Sequence, residues 1–156
     1  MRESNDRPSW TEYFLAIATA VAARADCTRR KAGAVLVKDH RIVATGYNGA
    51  PAGDKGCLSD GACPRGALDH SAVPAYSSYD SGPGACIAVH AEANCLLYAD
   101  RDKCEGAVLY CVPGVPCAGC EKLIRGAGVA SVYTPEGPIS YGRLQPYLDK
   151  MGTWGY

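Results

Sequence analysis

Apolar residues recur at helical spacing through Trp10, Tyr13, Phe14, Ile17 and Val21. Ser9 and Glu12 stand just ahead as an S-x-x-E capping pair, in which each side chain can satisfy the other's backbone N–H. Together they predict a first helix from about Trp10 to Ala25. The period then changes. AVLV (34–37) and RIVATGY (41–47) are β-rich runs separated by KDH, and they predict a hairpin. From about 48 to 86 no period survives, and Gly, Pro, Ser and Asp dominate. An insertion loop that long in a compact domain is either functional or tied down by something else.

Helical spacing returns in VHAEANCLLYA (89–99), which predicts a second helix with Ala93, Leu96 and Leu97 on its buried side, continuing through LLYADR. AVLYCV (107–112) and VASVYT (129–134) predict strands. Between them CAGCEKLIRGAG (117–128) predicts a helix that Gly126 and Gly128 stop. A strand–helix–strand unit makes its two strands parallel neighbours. Ser140 to Lys150 reads as a weak helix opposed by Gly142 and Pro146. The order of elements predicts a single α/β domain over 1–156, with helices on both faces of a mixed sheet.

Sixteen basic side chains balance sixteen acidic ones. That argues against a large nucleic-acid footprint, which needs a basic stripe. No apolar run is long enough for a membrane span. The start, MRESNDRPSW, lacks the apolar core of a secretory signal, so the expected location is cytoplasmic. The chain holds nine cysteines, an odd number, spread from 27 to 120. In a reducing compartment, clustered cysteines point to metal or catalysis before disulfides. Cys95 and Cys111 lie inside apolar runs and read as buried hydrophobes.

The chemistry concentrates in two short segments. Cys117 and Cys120 form C-x-x-C at the start of a predicted helix, where their sulfurs share a face and can grip one ion. His90 opens the preceding helix. One imidazole and two thiolates suit zinc and leave its fourth tetrahedral position open, the pattern of a catalytic site rather than a structural one. Helix N-termini favour thiolate over thiol. Glu92, two residues beyond the histidine, is placed to handle protons at the open position.

H-A-E at 90–92 with P-C-x-x-C at 116–120 resembles the zinc deaminases that act on cytosine or adenine. GYNGAPAG (46–53), CTRRKAGAVLVKD (27–39) and HAEANCLLYA resemble the deoxycytidylate branch of the cytidine deaminase superfamily more closely. The resemblance spans Trp10 to Thr134. It implies a three-layer α-β-α fold around a central mixed sheet of about five strands. It also implies hydrolytic deamination of a cytosine nucleotide, dCMP to dUMP plus ammonia, by zinc-activated water at C4. His90, Cys117 and Cys120 would hold the zinc and Glu92 would shuttle protons to ring N3 and the departing amine. Ala91 N–H would hold the pyrimidine O2, and Asn48 the sugar.

Arg29, Arg30 and Lys31 precede the first strand, where the resemblance places a phosphate; Lys31 is favoured, with either arginine as helper. A solvated basic turn is the alternative. Tyr133, at the end of a parallel strand, is a candidate pocket wall, or else a core aromatic. Cys27, Cys57, Cys63, His70 and Cys86 resemble the second, structural zinc site of bacterial and phage members; free buried thiols are the alternative. The resemblance further implies a homo-oligomer, a dimer or hexamer, with Tyr98 and Arg101 near an interface, and dCTP and dTTP as effectors. Three competing readings stay open: a tRNA adenosine deaminase, a deaminase of guanine or another small base or nucleoside, and a zinc-stabilised binding module without catalysis.

Overall fold

A computed structural model describes residues 6–141. The expected weak helix beyond Ser140 lies almost wholly outside the described residues. Helix α1 spans Trp10–Ala22 and opens with the capping box: Glu12 N–H donates to Ser9 Oγ at 3.2 Å, and Ser9 N–H to Glu12 Oε2 at 2.7 Å. It ends three residues earlier than expected. Arg24 and Ala25 donate to carbonyls three residues back, and Asp26 N–H turns away to Asn48 O. The buried stripe is Phe14, Ala18 and Ala22, while Trp10 and Tyr13 are exposed. The small alanines matter because α1 rests on a strand backbone: a Cβ at Gly33 would strike Ala18 O and Ala22 N.

Strands β1 (Gly33–Lys38) and β2 (Arg41–Tyr47) form the expected hairpin. Asp39 and His40 both take positive φ, 50° and 59°, as a two-residue turn matched to strand twist requires. Helix α2 covers Ala91–Leu97, followed by the short α3, Arg101–Cys104. The expected continuous helix is broken, because Asp100 adopts an extended N-cap conformation and its carbonyl starts α3. Ala91 and Cys95 are the buried residues of α2, whereas Leu97 faces solvent rather than the core.

Strand β3 (Val108–Val112), helix α4 (Ala118–Gly126) and strand β4 (Ser131–Thr134) make the predicted crossover, and β3 pairs parallel with β4. Gly128, at φ +82°, lets the chain leave α4 in a left-handed turn. Strand β5 (Gly137–Ser140) was not legible in the sequence; it pairs antiparallel with β4 at the sheet edge, where Pro138 is tolerated. The order is β2-β1-β3-β4-β5, a mixed sheet of five strands. No helix among the described residues is long and apolar enough to cross a membrane.

Strand alternation builds the three layers. Val35, Val37 and Tyr110 pack with Phe14 and Ala18 on one face. Ala34, Leu36, Leu109 and Cys111 pack with Cys95, Cys120 and Ile124 on the other. The second face carries both α2 and α4, and so brings the two metal-ligand motifs to one side of the sheet. Helix α2 sits so close to β2 that a Cβ at Gly46 would strike Ala91 O and Cys95 N. Gly46→Ala is therefore expected to lose about 1–3 kcal/mol or more through overpacking. Gly126→Ala, where nothing lies within 4 Å of the added Cβ, is expected to hold or gain stability by up to about 1 kcal/mol. Thermal and urea denaturation of the two variants checks the opposite signs.

Candidate metal centre and pocket

The long loop is pinched at its base. Gly49 and Val89 exchange backbone hydrogen bonds of 3.3 and 2.8 Å, and Asn94 Nδ2 donates to Tyr47 O at 2.9 Å. The pinch fixes the residue before His90, which takes the N-cap position of α2. Cys117 takes the N-cap of α4, where its Sγ accepts from Cys120 N–H at 3.4 Å. His90 Nδ1 lies 3.3 Å from Cys117 Sγ and 3.4 Å from Cys120 Sγ. Ligands of a tetrahedral zinc, with Zn–N near 2.0 and Zn–S near 2.3 Å, stand about 3.5 Å apart, so the three atoms fit that ion. Among the described residues, this is the one group of three or more His, Cys, Asp or Glu whose ligand atoms all fall within 4.8 Å of one another.

Glu92 stands beside the cage: its Oε2 is 3.7 Å from Cys120 Sγ, and it is not a member of the ligand group. Burial pushes the Cys120 thiol well up, and the Glu92 and Cys117 charges add to it. One carboxylate and two thiols crowded together in this way are suited to a dication, which relieves the repulsion. Burial also raises Cys95, to about 12, and lifts Cys111 well above the ordinary thiol range. These two remain inert core residues, as expected.

His90, Glu92 and Cys117 border a cavity of about 370 Å³, a volume typical of small-ligand sites. Ala91 lines it too, and its N–H is the first of α2, one of those with no intrahelical acceptor. Asn48 also reaches the cavity, but most of its amide is engaged: Oδ1 accepts from Ala32 N–H at 2.8 Å and Nδ2 donates to Arg30 O at 2.7 Å. It thereby fixes the Arg30–Ala32 backbone and keeps one N–H in reserve.

Two expected pocket residues lie elsewhere. Lys31 does not line this cavity; its Nζ donates to Ala23 O at 3.4 Å, at the C-terminal end of α1. Arg29 and Arg30 border the cavity, while Lys31 serves a helix end that favours cations. Among the described residues neither arginine has a carboxylate within ion-pair distance. Tyr133 packs on the α1 face, stacked on Tyr110 at 5.4 Å, and is a core aromatic rather than a pocket wall.

Cys27, Cys57, Cys63 and Cys86 border the same cavity; His70 does not and is exposed. Cys27 Sγ accepts from Arg29 and Arg30 N–H at 3.4 and 3.5 Å, and Cys63 Sγ from Gly66 N–H at 3.3 Å. Burial pushes the Cys57 thiol up, and the nearby Cys63, Cys86 and Cys27 add to it. Burial acts the same way on Cys63, but hydrogen bonds from Gly66, Thr28 and Arg65 and the Arg29 charge outweigh it and bring that thiol below its ordinary value. Asp26 joins two of these turns. Its carboxylate accepts from Leu58 N–H, Ser59 N–H and Ser59 Oγ, each at 2.8 Å. Sequence reasoning missed Asp26, and also Arg65 and Tyr79 in the cavity wall, since an aperiodic loop has no pattern from which to place a side chain.

The model of the cytidine and deoxycytidylate deaminase zinc-binding region matches residues 8–135. The deoxycytidylate deaminase of Mycobacterium phage D29 is 55% identical over 130 residues, 83% of this chain and 97% of that protein. That of Schizosaccharomyces pombe is 40% identical over 127 residues, 81% of this chain but 37% of that longer protein. Among solved structures, the dCMP deaminase of cyanophage S-TIM5 in complex with dCMP and dUMP superposes with a TM-score of 0.58 at 27% identity, covering 96% of this chain and 94% of that one. A family match across most of the chain, centred on a ligand cage that the fold assembles from two helix starts, means that this chain belongs to the cytidine and deoxycytidylate deaminases.

Proposed function

We propose that this chain, read as one domain over 1–156, hydrolyses dCMP and water to dUMP and ammonia. The observation that carries this is the open three-ligand group, with Glu92 beside it and, on the same cavity, two arginines that are unpaired among the described residues. Zinc held by His90, Cys117 and Cys120 would supply a water nucleophile at neutral pH. Glu92 would carry one proton to ring N3, which makes C4 electrophilic, and a second to the departing amine. Ala91 N–H is placed to hold O2, and the free N–H of Asn48 to reach the sugar. The phosphate would lie at Arg29 and Arg30. The D29 relative and the cyanophage complex, each described as a dCMP deaminase, support the choice of substrate. Nine free thiols suit a reducing cytoplasm.

Cys27, Cys57, Cys63 and Cys86, without His70, offer the donor set of a second zinc, and N–H···S bonds at Cys27 and Cys63 stabilise thiolates; no three of these sulfurs stand within 4.8 Å of one another, so the ion would draw them together. Leu97 and Tyr98, 73% and 74% exposed, support a homo-oligomer of dimer or hexamer type, at whose contacts dCTP and dTTP would act. Arg101 meanwhile ties α3 to α4 through Gly126 O at 2.9 Å. Light scattering of the wild type and of Tyr98→Glu is expected to show an assembly that the variant weakens; a monomeric wild type refutes it.

Metal analysis is expected to find two zinc ions per chain. Cys120→Ala should remove one and abolish activity, while Cys57→Ala removes the other. Glu92→Gln should keep both ions and bind dCMP, with kcat reduced by about 10³-fold or more. An active, metal-free wild type would end this reading.

Ammonia release across dCMP, CMP, deoxycytidine, guanine and tRNA should favour dCMP. Arg30→Ala is expected to lower kcat/KM for dCMP by about 10–100-fold, the worth of one charge-assisted contact, and to leave the poor deoxycytidine reaction unchanged. Lys31→Ala should alter neither. Equal turnover of deoxycytidine and dCMP by the wild type would remove the phosphate site.

A further inference from the structure

Arg65 is the buried cation of the long loop, 6% exposed. Among the described residues it has no carboxylate partner. Its Nη1 donates to Ser78 O at 2.9 Å, and its Nη2 to Ser77 O at 3.1 Å and Ser77 Oγ at 2.7 Å. The guanidinium carbon also lies 4.1 Å from the centre of the Tyr79 ring. One planar group thus holds two successive carbonyls and the aromatic ring that follows them. Lysine has neither the fork nor the flat face to do both.

The segment needs such a brace. No helix or strand includes Ser77, Ser78 or Tyr79, so a regular hydrogen-bond ladder does not position the ring. Tyr79 nevertheless borders the cavity shared with His90, Glu92, Arg29 and Arg30. Half of its surface is accessible, although Arg65 covers part of the ring. A half-exposed aromatic ring held rigid in a cavity wall offers a π-face at little entropic cost, and nucleobases pack on such faces.

We propose that Tyr79 is an affinity-determining wall of the nucleotide pocket, its ring packing against the bound cytosine nucleotide, and that Arg65 is a positioning residue that acts through it. The inference rests on the deaminase reading above and adds a contact remote from the reacting atoms. Neither side chain belongs to the ligand cage or the proton path, so both should govern binding and leave the chemical step alone.

The test is a double-mutant cycle on dCMP affinity, measured calorimetrically in Glu92→Gln protein, where binding proceeds without turnover. Tyr79→Ala is expected to weaken binding about tenfold, within the range for base–aromatic stacking. Tyr79→Phe, which keeps the ring, should stay within about twofold. Arg65→Lys should weaken binding several-fold, and the Arg65→Lys/Tyr79→Ala pair should match Tyr79→Ala alone, since the brace has no further target. With Glu92 restored, KM should rise in the same order with kcat and zinc content unchanged. Binding by Tyr79→Ala equal to the parent, independent losses in the double variant, or a fall in kcat instead of a rise in KM would each overturn the proposal. A Glu92→Gln parent that retains zinc yet fails to bind dCMP removes the deaminase reading beneath it; a parent that binds while Tyr79→Ala binds equally removes this inference alone.

Discussion

Everything in the site depends on one close approach: His90 Nδ1 must stand 3.3–3.4 Å from two sulfurs carried by a different helix. Side-chain flexibility does not achieve that, because a loose cage pays ordering entropy for each ligand when the ion binds. The fold removes the freedom beforehand. Gly46 lets the α2 backbone lie directly on β2, and the Gly49–Val89 bridge stops the chain one residue before His90. On the other side, the crossover from β3 through α4 to β4 delivers Cys117 and Cys120 to the same sheet face. The core beneath, Leu36, Leu109, Ile124 and Val132, is fully buried and fixes the relative position of the two helix starts.

The loop between β2 and α2 builds the opposite wall by other means. It has no regular ladder, so its backbone is held by side chains. Asp26 gathers the Leu58–Ser59 turn, Asn48 gathers Arg30 to Ala32, and Arg65 gathers Ser77 to Tyr79. Each is a polar side chain satisfying backbone groups that a helix or strand would otherwise pair. This is why a loop of that length can be ordered around a cavity, and why its cysteines face inward together.

The division between what was legible in the sequence and what was not follows from the same physics. His90, Glu92, Cys117 and Cys120 were readable because they sit on elements with a period, where spacing dictates direction. The capping box and the alternating β1 also came through, since local hydrogen bonding and one-sided burial decide them. Lys31 lies in the aperiodic turn before β1, where no period assigns a direction. Tyr133 was misplaced by a single alternation: neighbours in a strand point to opposite faces, and composition does not say which face holds the pocket. Tyr133 pairs in register with Tyr110, whose side chain the α1 layer covers, so it had no route to the cavity. Leu97 and β5 were lost for a different reason. A seven-residue helix turns too few times to bury an apolar residue on every side, and an edge strand holding Gly and Pro has no propensity to announce it.

Charge completes the argument. The chain as a whole carries sixteen positive and sixteen negative side chains, yet the cavity gathers Arg29, Arg30 and Arg65 with no acid paired to any of them among the described residues. Asp80 and Glu92 line the same cavity, so its positive charge is local to the arginines; it attracts an anion small enough to enter and offers no extended track for a polynucleotide backbone. Arg65 differs from the other two in being buried and already engaged with neutral carbonyls. A buried cation without a counter-charge is tolerated when its hydrogen bonds are good, and Arg65 makes three, to Ser77 O, Ser77 Oγ and Ser78 O. The charge left to meet an anion is therefore that of Arg29 and Arg30, while Arg65 serves the order of the loop.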